Sequence, residues 1–354
     1  MQHQPDLVEL GLARLKLFQT FTLPAMEAQI NKGFTWLIRT DPLLHEDLKR
    51  PFLDCILNST VKDRVILFAQ NSNPGSFHQS SLVNETDVWI GSLERYQNLV
   101  TQAKQKEIAV LETSLDADDA IPHDFIDYIH REAVAHLTDP KDWMYWCTHY
   151  HMEWQVTAEK PPSRRPRRRR RKKNAMPELN TTTSPYGHVM TRTASKCITA
   201  GLTVLYGSAT SRADLPGTMV HTRIEEMIPA CEDEQVEQYC FRVMFDSRPG
   251  ALRARTPTST GMSQVRLPTR EEEEKSQAFL VQQRTKLAPL WDSIEREYGM
   301  NRQLVEEARR LLLDRVSMIA SDNLKGQCTV GHSCKEETQQ VLKSLAAAAT
   351  PQET

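Results

Sequence analysis

The spacing of apolar residues along the chain alternates between a period typical of helices and one typical of buried strands. Near the start, Leu7, Leu10 and Phe18 recur at helical spacing with charged residues between them. Amphipathic stretches of this kind predict further helices at residues 44–58, 87–105, 122–137, 269–298 and 302–319. Short apolar runs bounded by charged or turn-forming residues predict strands at residues 34–38, 64–69 and 107–115.

The second half of the chain adds three segments to this pattern. The aromatic segment at residues 143–154 predicts one strand or a pair of strands, and buried structure resumes at residues 197–206. Residues 248–268 are rich in Pro, Thr and Arg, which predicts a loop. Strands that alternate with helices are typical of an α/β protein. The expected fold is therefore α/β, a mostly parallel sheet flanked by helices, with a helical extension at the C-terminal end.

Three aspartates, Asp116, Asp118 and Asp119, directly follow the predicted strand at residues 107–115. In open α/β sheets, ligands bind at the carboxyl ends of the strands, where this acidic turn is expected to lie. Aspartates at positions i and i+2 of a tight turn can both face one divalent ion, and Mn²⁺ and Mg²⁺ prefer such oxygen ligands. The pattern predicts a metal site. The alternative interpretation is a turn that only leads into the capped start of the next helix.

A combination of short segments carries a family resemblance that no single segment carries. These segments are residues 14–18 (RLKLF), 22–29 (TLPAMEAQ), 34–37 (FTWL), 115–120 (LDADDA), 197–203 (CITAGLT) and 255–259 (RTPTS). Together they resemble the rhamnosyl transferase family, whose members have a GT-A-like (Rossmann-like) fold, and in particular its algal and diatom-like members. The resemblance covers about residues 10–260 and is weaker over the C-terminal third.

The resemblance implies transfer of a sugar, with rhamnose as one candidate, from a nucleotide-sugar donor to a glycan or glycoprotein acceptor. It implies that Asp116 and Asp118 bind Mn²⁺ or Mg²⁺ and, with Arg39, the donor. Asp119 is implied as the catalytic residue that orients the donor sugar or a ligand carboxylate. GT-A enzymes often add a late histidine to the metal, and His221 is the candidate here. The proposed catalytic bases are Asp119, Glu153 and Glu225, which the sequence does not rank.

The resemblance also implies an organisation for the whole chain. GT-A domains start with a strand that helps to hold the nucleotide base, whereas this chain begins in what should be the following helix. We therefore expect the first strand to be missing and Met1 to be an internal methionine of a longer protein, for which the resemblance implies the Golgi or secretory pathway. The predicted segments are a nucleotide-sugar half (1–156), a disordered basic insertion (157–185), an acceptor-side half (186–260) and a helical extension (261–354).

The formal net charge of −2 hides a strong local asymmetry. Residues 164–173 (RRPRRRRRKK) hold nine of the 44 basic side chains, and without them 35 basic residues face 46 acidic ones. Such a run is typical of nuclear import signals and phosphate-binding patches, which gives a nuclear or nucleic-acid-associated protein as an alternative. The run has no interleaved aromatic residues to stack bases. We therefore favour a solvated insertion and expect no nucleic-acid partner. No stretch of about 18 apolar residues predicts a transmembrane helix.

Several histidines, aromatic residues and cysteines allow two interpretations each. His149 and His151 lie two residues apart in the aromatic segment, so they share one face of the predicted strand. Together they bind a metal or a substrate, or each makes ordinary hydrogen bonds. The aromatic residues there form either a sugar-stacking platform or core; they are Trp143, Tyr145, Trp146 and Trp154. Cys328, His332 and Cys334 suggest a small metal site, a disulfide or free thiols. A third class of function, a catalytically inactive relative that binds glycans or partners, also fits the sequence.

Overall fold

The computed structural model describes residues 7–69, 87–105, 108–136, 143–156, 186–194, 196–207, 210, 224–231, 239–245, 247–256, 258 and 291–329 of the chain. The basic insertion, His221, His332 and Cys334 lie outside these residues, so the predictions made for them are untested. Cys328 lies in the last helix, but its side chain is not described either. None of the helices in the described ranges is both long and apolar enough to cross a bilayer.

The chain begins with a helical segment, as the apolar spacing predicts. Helix α1 (Val8–Leu17) continues through a π-helical turn (Phe18–Thr22) into α2 (Leu23–Ala28), and Pro24 lies in the first turn of α2. Pro24 has no N–H to donate, so one backbone hydrogen bond is missing where the π-helical turn passes into α2. The side chains of Ala13, Leu17 and Phe21 are fully buried, so this segment packs into the core along one face.

A small sheet follows, with strands β1 (Trp36–Thr40), β2 (Val65–Ala69) and β3 (Val88–Ile90) in that order. Strand β1 is parallel to β2, and β3 is antiparallel to it. Helix α3 (Glu46–Leu57) connects β1 to β2. The helix predicted at residues 87–105 is wrong over its first residues, which form β3, and α4 covers Leu93–Gln105.

Two four-stranded sheets, here called sheets B and C, hold the remaining strands. The order in sheet B is β10 (Phe241–Met244), β6 (Trp143–Thr148), β9 (Leu202–Tyr206) and β4 (Val110–Ser114). The order in sheet C is β5 (Asp119–Ala120), β11 (Leu252–Arg255), β7 (Tyr150–Gln155) and β8 (His188–Thr193). Helices α5 (Phe125–His136) and α6 (Ile224–Met227) lie between these strands in the chain. The aromatic segment is thus a pair of strands that belong to different sheets, and the predicted loop at residues 248–268 contains a strand.

The prediction of a mostly parallel sheet is wrong for the described strands, although the α/β class is correct. Three strand pairs are parallel and five are antiparallel. The apolar pattern reports that a strand is buried, but it carries no information on the direction of its neighbour. The structure therefore supports a mixed α/β fold and leaves the GT-A assignment a prediction.

Sheet C has one apolar and one charged face, because side chains alternate along each strand. Trp154, Leu252 and Ala254 lie in the main core, together with residues of α1 and of the C-terminal helices. Those helices are α7 (residues 291–298), α8 (Arg302–Asp314) and α9 (Val316–Thr329). The start and the end of the described chain thus share one core, while the division into four segments stays a prediction. The opposite face of sheet C carries the charged residues of the candidate site.

Candidate functional site

The acidic turn, Asp116–Asp119, links strand β4 of sheet B to strand β5 of sheet C. The amide of Asp119 donates a hydrogen bond to the carbonyl oxygen of Asp116 at 3.2 Å, which closes the turn. The hydroxyl of Thr22 donates to the carbonyl oxygen of Asp119 at 2.8 Å. At the start of β5, Asp119 pairs with Arg253 across the antiparallel ladder to β11. The turn is therefore fixed at the junction of two sheets, with support from the N-terminal helical segment.

The three carboxylates of the turn differ in their exposure. Asp116 is exposed and Asp118 is half-buried, whereas Asp119 is only 3% exposed. The Asp119 carboxylate accepts a hydrogen bond from the amide of Ala254 at 3.2 Å and lies 3.4 Å from Nε of Arg253. Asp116 and Asp118 thus form the outer part of the turn, while Asp119 is bound into sheet C.

The three carboxylates of the acidic turn outnumber the two arginines described beside them, Arg14 and Arg253. Burial raises the pKa of Asp118 to about 6, and the charge of Asp116 adds to this shift, while Arg14 and Arg253 oppose it. The pKa of Asp119 lies well above its ordinary value, because of burial and the charge of Asp118, with Arg253 acting against both. Carboxylates that repel one another in this way gain from a nearby cation.

Two arginines close to the turn were missed at the sequence level. Arg14, on α1, interacts electrostatically with Asp118, and its Nη2 donates to the carbonyl oxygen of Thr258 at 3.2 Å. Arg253 contacts Asp119 from the neighbouring strand. Both lie in or next to segments that carry the family resemblance, residues 14–18 and 255–259. Their position beside the aspartates depends on contacts between residues more than 100 apart, which local patterns do not report.

A second charged group, the Glu153 cluster, lies on the same face of sheet C. It consists of His151, Glu153, Arg192 and Arg255. The Glu153 carboxylate lies 3.0 Å from Nε of Arg255 and 3.3 Å from Nε of Arg192. Nε2 of His151 is 3.5 Å away, which is close enough for an ion pair but not for a well-formed hydrogen bond.

The surroundings of Glu153 determine its protonation state. His151 and then Arg255 lower the pKa of this carboxyl to about 2, although burial opposes them. A carboxylate that is this difficult to protonate is a poor general base near neutral pH. Glu153 is therefore poorly suited to its predicted role as a base. Its place between two arginines indicates that it holds the charged face of sheet C together.

The other predicted site residues are distributed over the fold. Arg39 lies at the carboxyl end of β1, in the small sheet, and is half-buried. Glu225 lies in α6, where its Oε1 is 2.6 Å from Nε2 of His149. His149 and His151 therefore contact different carboxylates rather than one common ligand. The structure does not test the roles predicted for Arg39 and Glu225, so these roles stay predictions.

The aromatic segment forms core rather than a sugar-stacking platform. Tyr145, Trp146 and Trp154 are fully buried. Trp143 is half-buried, and its ring packs edge-on against Tyr145 at 5.6 Å and against Tyr239 at 5.4 Å. Stacking on a sugar requires an accessible ring face, which the three buried residues lack. The interpretation as core is confirmed for these three residues.

Comparison of the chain with family models, with curated proteins and with solved structures gives no match. The resemblance to rhamnosyl transferases therefore stays a prediction, and the acidic turn is the feature of the structure that bears on function.

Proposed function

We propose that the protein is a metal-dependent glycosyltransferase, which moves a sugar from a nucleotide-sugar donor to a glycan or glycoprotein acceptor at the acidic turn. The observation that carries the proposal is the arrangement of Asp116 and Asp118 in a turn that two sheets hold in place. Burial raises the pKa of Asp118, and the negative charge of Asp116 adds to that shift. Rhamnose as the transferred sugar, and the Golgi or secretory pathway as the location, rest on the family resemblance alone.

The chemistry of this turn fits a hard divalent cation. Mn²⁺ and Mg²⁺ take oxygen ligands and commonly keep positions for substrate phosphates, and the outer part of the turn offers two carboxylates. Asp116 and Asp118 would hold the ion, which would stabilise the negative charge that develops on the leaving diphosphate.

The residues around the turn support the same function. Arg253 and the amide of Ala254 hold the Asp119 carboxylate in one orientation, which suits a residue that orients the neighbouring ligand carboxylates. Arg14 and Arg253 place two positive charges beside the aspartates. Guanidinium groups recognise phosphates through paired hydrogen bonds, so these arginines are the candidates for contact with the donor diphosphate.

Calorimetric binding of UDP and dTDP, with and without Mn²⁺, tests the proposal. Wild-type protein is expected to bind UDP or dTDP when Mn²⁺ is present, and to bind neither nucleotide without it. The Asp116→Asn/Asp118→Asn variant is expected to bind neither nucleotide under either condition. The matched control is Asp47→Asn/Asp54→Asn, which makes the same charge change at side chains of α3 that are 75% and 61% exposed.

The outcomes separate the alternatives. If neither nucleotide binds to wild type, or if the Asp116→Asn/Asp118→Asn variant binds as well as the control, the proposal is wrong. If binding depends on Mn²⁺ but no nucleotide-sugar is hydrolysed or transferred, the protein is an inactive relative that retains the donor site.

A further inference from the structure

A second group of metal-ligating side chains lies away from the acidic turn, and the proposed function does not use it. Cys147, His149, Cys197 and Glu225 bring one ligand atom each to within 4.8 Å of one another. They come from the end of β6, the link between β6 and β7, the loop before β9, and α6. In the structure, Cys147 and Cys197 form a disulfide.

We propose that this group is a Zn²⁺ site in the reduced protein, and that the disulfide and the metal are two mutually exclusive states of the same four residues. Two sulfurs, one imidazole nitrogen and one carboxylate oxygen are a ligand set that suits tetrahedral Zn²⁺. With Zn–S distances of about 2.3 Å and Zn–N or Zn–O distances of about 2.0–2.2 Å, tetrahedral ligands lie about 3–4 Å apart. The four atoms therefore need only small movements to surround one ion.

The burial of the four side chains suits a structural metal site. Cys147 and Cys197 are 0% and 1% exposed, whereas the side chains of His149 and Glu225 are 25% and 20% exposed. The sulfurs are thus shielded, and the ion can enter from the side of the histidine and the glutamate. Oε1 of Glu225 also accepts a hydrogen bond from the amide of Cys197 at 2.7 Å, which fixes the carboxylate at the cluster.

The two states are connected by a balanced reaction. A dithiol reductant transfers two electrons and two protons to the Cys147–Cys197 disulfide, which gives two thiols and the reductant's own disulfide. Zn²⁺ then binds the two thiolates and releases two protons. His149 and Glu225, which lie 2.6 Å apart in the disulfide state, exchange their mutual contact for the ion.

Cobalt binding tests the proposal, since Co²⁺ reports its ligands by its colour. The full chain is reduced with dithiothreitol, desalted without oxygen and titrated with Co²⁺. We expect the visible bands of a tetrahedral ion and a near-ultraviolet thiolate charge-transfer band to saturate at one Co²⁺ per chain, and we expect Zn²⁺ to abolish both. Oxidised protein should show neither band. The near-ultraviolet circular dichroism spectrum shows whether the reduced protein is folded. If the reduced wild-type protein is folded and lacks the thiolate band, the proposal is wrong.

Matched variants assign the band to these residues. Cys147→Ser/Cys197→Ser should lose it, whereas Cys231→Ser/Cys240→Ser, which removes the other disulfide of the described residues, should keep it. Persistence in the first variant would contradict the proposal. His149→Gln and Glu225→Gln keep both cysteines and should each weaken Co²⁺ binding at least about tenfold, because even loss of a residue that only orients a metal ligand commonly costs about 10–100-fold in affinity. Unchanged affinity in both would contradict it too. Asp116→Asn/Asp118→Asn should leave the band unchanged, so this test is independent of the proposed glycosyltransferase.

Discussion

The acidic turn and the Glu153 cluster lie in the same sheet, with Asp119 on β5 and Glu153 on β7 on either side of β11, yet their carboxyl groups behave in opposite ways. The side chains of Asp119 and Glu153 are 5% and 12% exposed, so both are buried. The pKa of Asp119 is nevertheless raised, and that of Glu153 is lowered to about 2. The difference lies in the neighbours, because Glu153 is surrounded by two arginines and a histidine, whereas Asp119 shares Arg253 with two further aspartates. Burial alone does not decide the protonation of a carboxyl group; the balance of nearby charge does.

This comparison also separates function from structure. A group of carboxylates that outnumbers the cations described beside it gains from a further cation, whereas a carboxylate that is already paired with two arginines gains less. The acidic turn is therefore the place to look for ligand binding. The Glu153 cluster is the place to look for effects on stability.

The largest change in stability should come from Arg253→Met. The substitution removes the cation that contacts Asp119 and leaves a buried carboxylate beside Asp118. Breaking a buried ion pair from one side commonly costs 3–5 kcal/mol, and the raised pKa of Asp119 lets it take up a proton, so we expect about 3 kcal/mol. The free energy of unfolding in urea measures this loss. Adding Asp119→Asn should restore part of the lost stability. If the free energy of unfolding of Arg253→Met lies within about 0.5 kcal/mol of wild type, Arg253 does not offset the negative charge of the acidic turn.

The next largest effect should come from adding Mn²⁺ to the wild-type protein. An ion that binds only the folded state stabilises it by about 2.7 kcal/mol at about a hundredfold excess over its dissociation constant. Thermal unfolding with and without Mn²⁺ measures the change. Glu153→Gln should keep the response and Asp116→Asn/Asp118→Asn should lose it. A response that survives in the second variant would place the ion elsewhere.

A smaller effect is expected from Glu153→Gln, and it should depend on pH. The folded-state pKa of about 2 lies below the ordinary value of 4.5, so the ionised carboxylate stabilises the fold. That contribution is present above pH 4.5 and is lost as the pH falls through about 2. We expect the variant to lose about 1–2 kcal/mol at neutral pH, and the difference from wild type to shrink below pH 4.5.

Urea unfolding across this pH range checks that expectation. Glu306→Gln is the control, because it removes a carboxylate that is 43% exposed and pairs only with Arg310 among the contacts described for it. Its cost should stay below about 1 kcal/mol. A difference between Glu153→Gln and wild type that is constant at all pH values would contradict the role of the ionised carboxylate.

The smallest effect should come from Arg192→Met. Its side chain is 44% exposed, more than that of Arg255 (32%) or Arg253 (15%). Exposed ion pairs contribute about 0–1 kcal/mol, because water screens them. Unfolding of the three arginine variants in one series should therefore rank Arg253 first and Arg192 last. A larger loss for Arg192 than for Arg253 would reverse the comparison between the two regions.

Much of the local structure follows from the sequence. The strands at residues 65–69 and 110–114 and the helix at 302–314 lie where the apolar pattern predicts them, although only the first strand is fully buried. The acidic turn after the strand ending at Ser114 was also predictable, since three aspartates follow directly after an apolar run and end the strand pattern. Strand β11 was missed because Arg253 and Arg255 make its sequence resemble a loop.

The composition of the candidate site was only partly predictable. Asp116, Asp118 and Asp119 are adjacent in the sequence, so their proximity follows from the chain itself. Arg14 and Arg253 reach the turn from positions about a hundred residues or more away, and Glu153 was chosen as a base without knowledge of the arginines beside it. No local pattern reports such contacts.

The sequence by itself determined the α/β class, the position of most helices and strands, and the acidic turn, because these depend on periodicity and on neighbours along the chain. The tertiary structure decided the direction of the strands, the cation that each carboxylate meets and the meeting of Cys147, His149, Cys197 and Glu225. The physical reason is that the energy of interaction between charges falls with their separation, and a metal ion binds only ligand atoms that lie close together. For segments remote in the sequence, packing sets that separation.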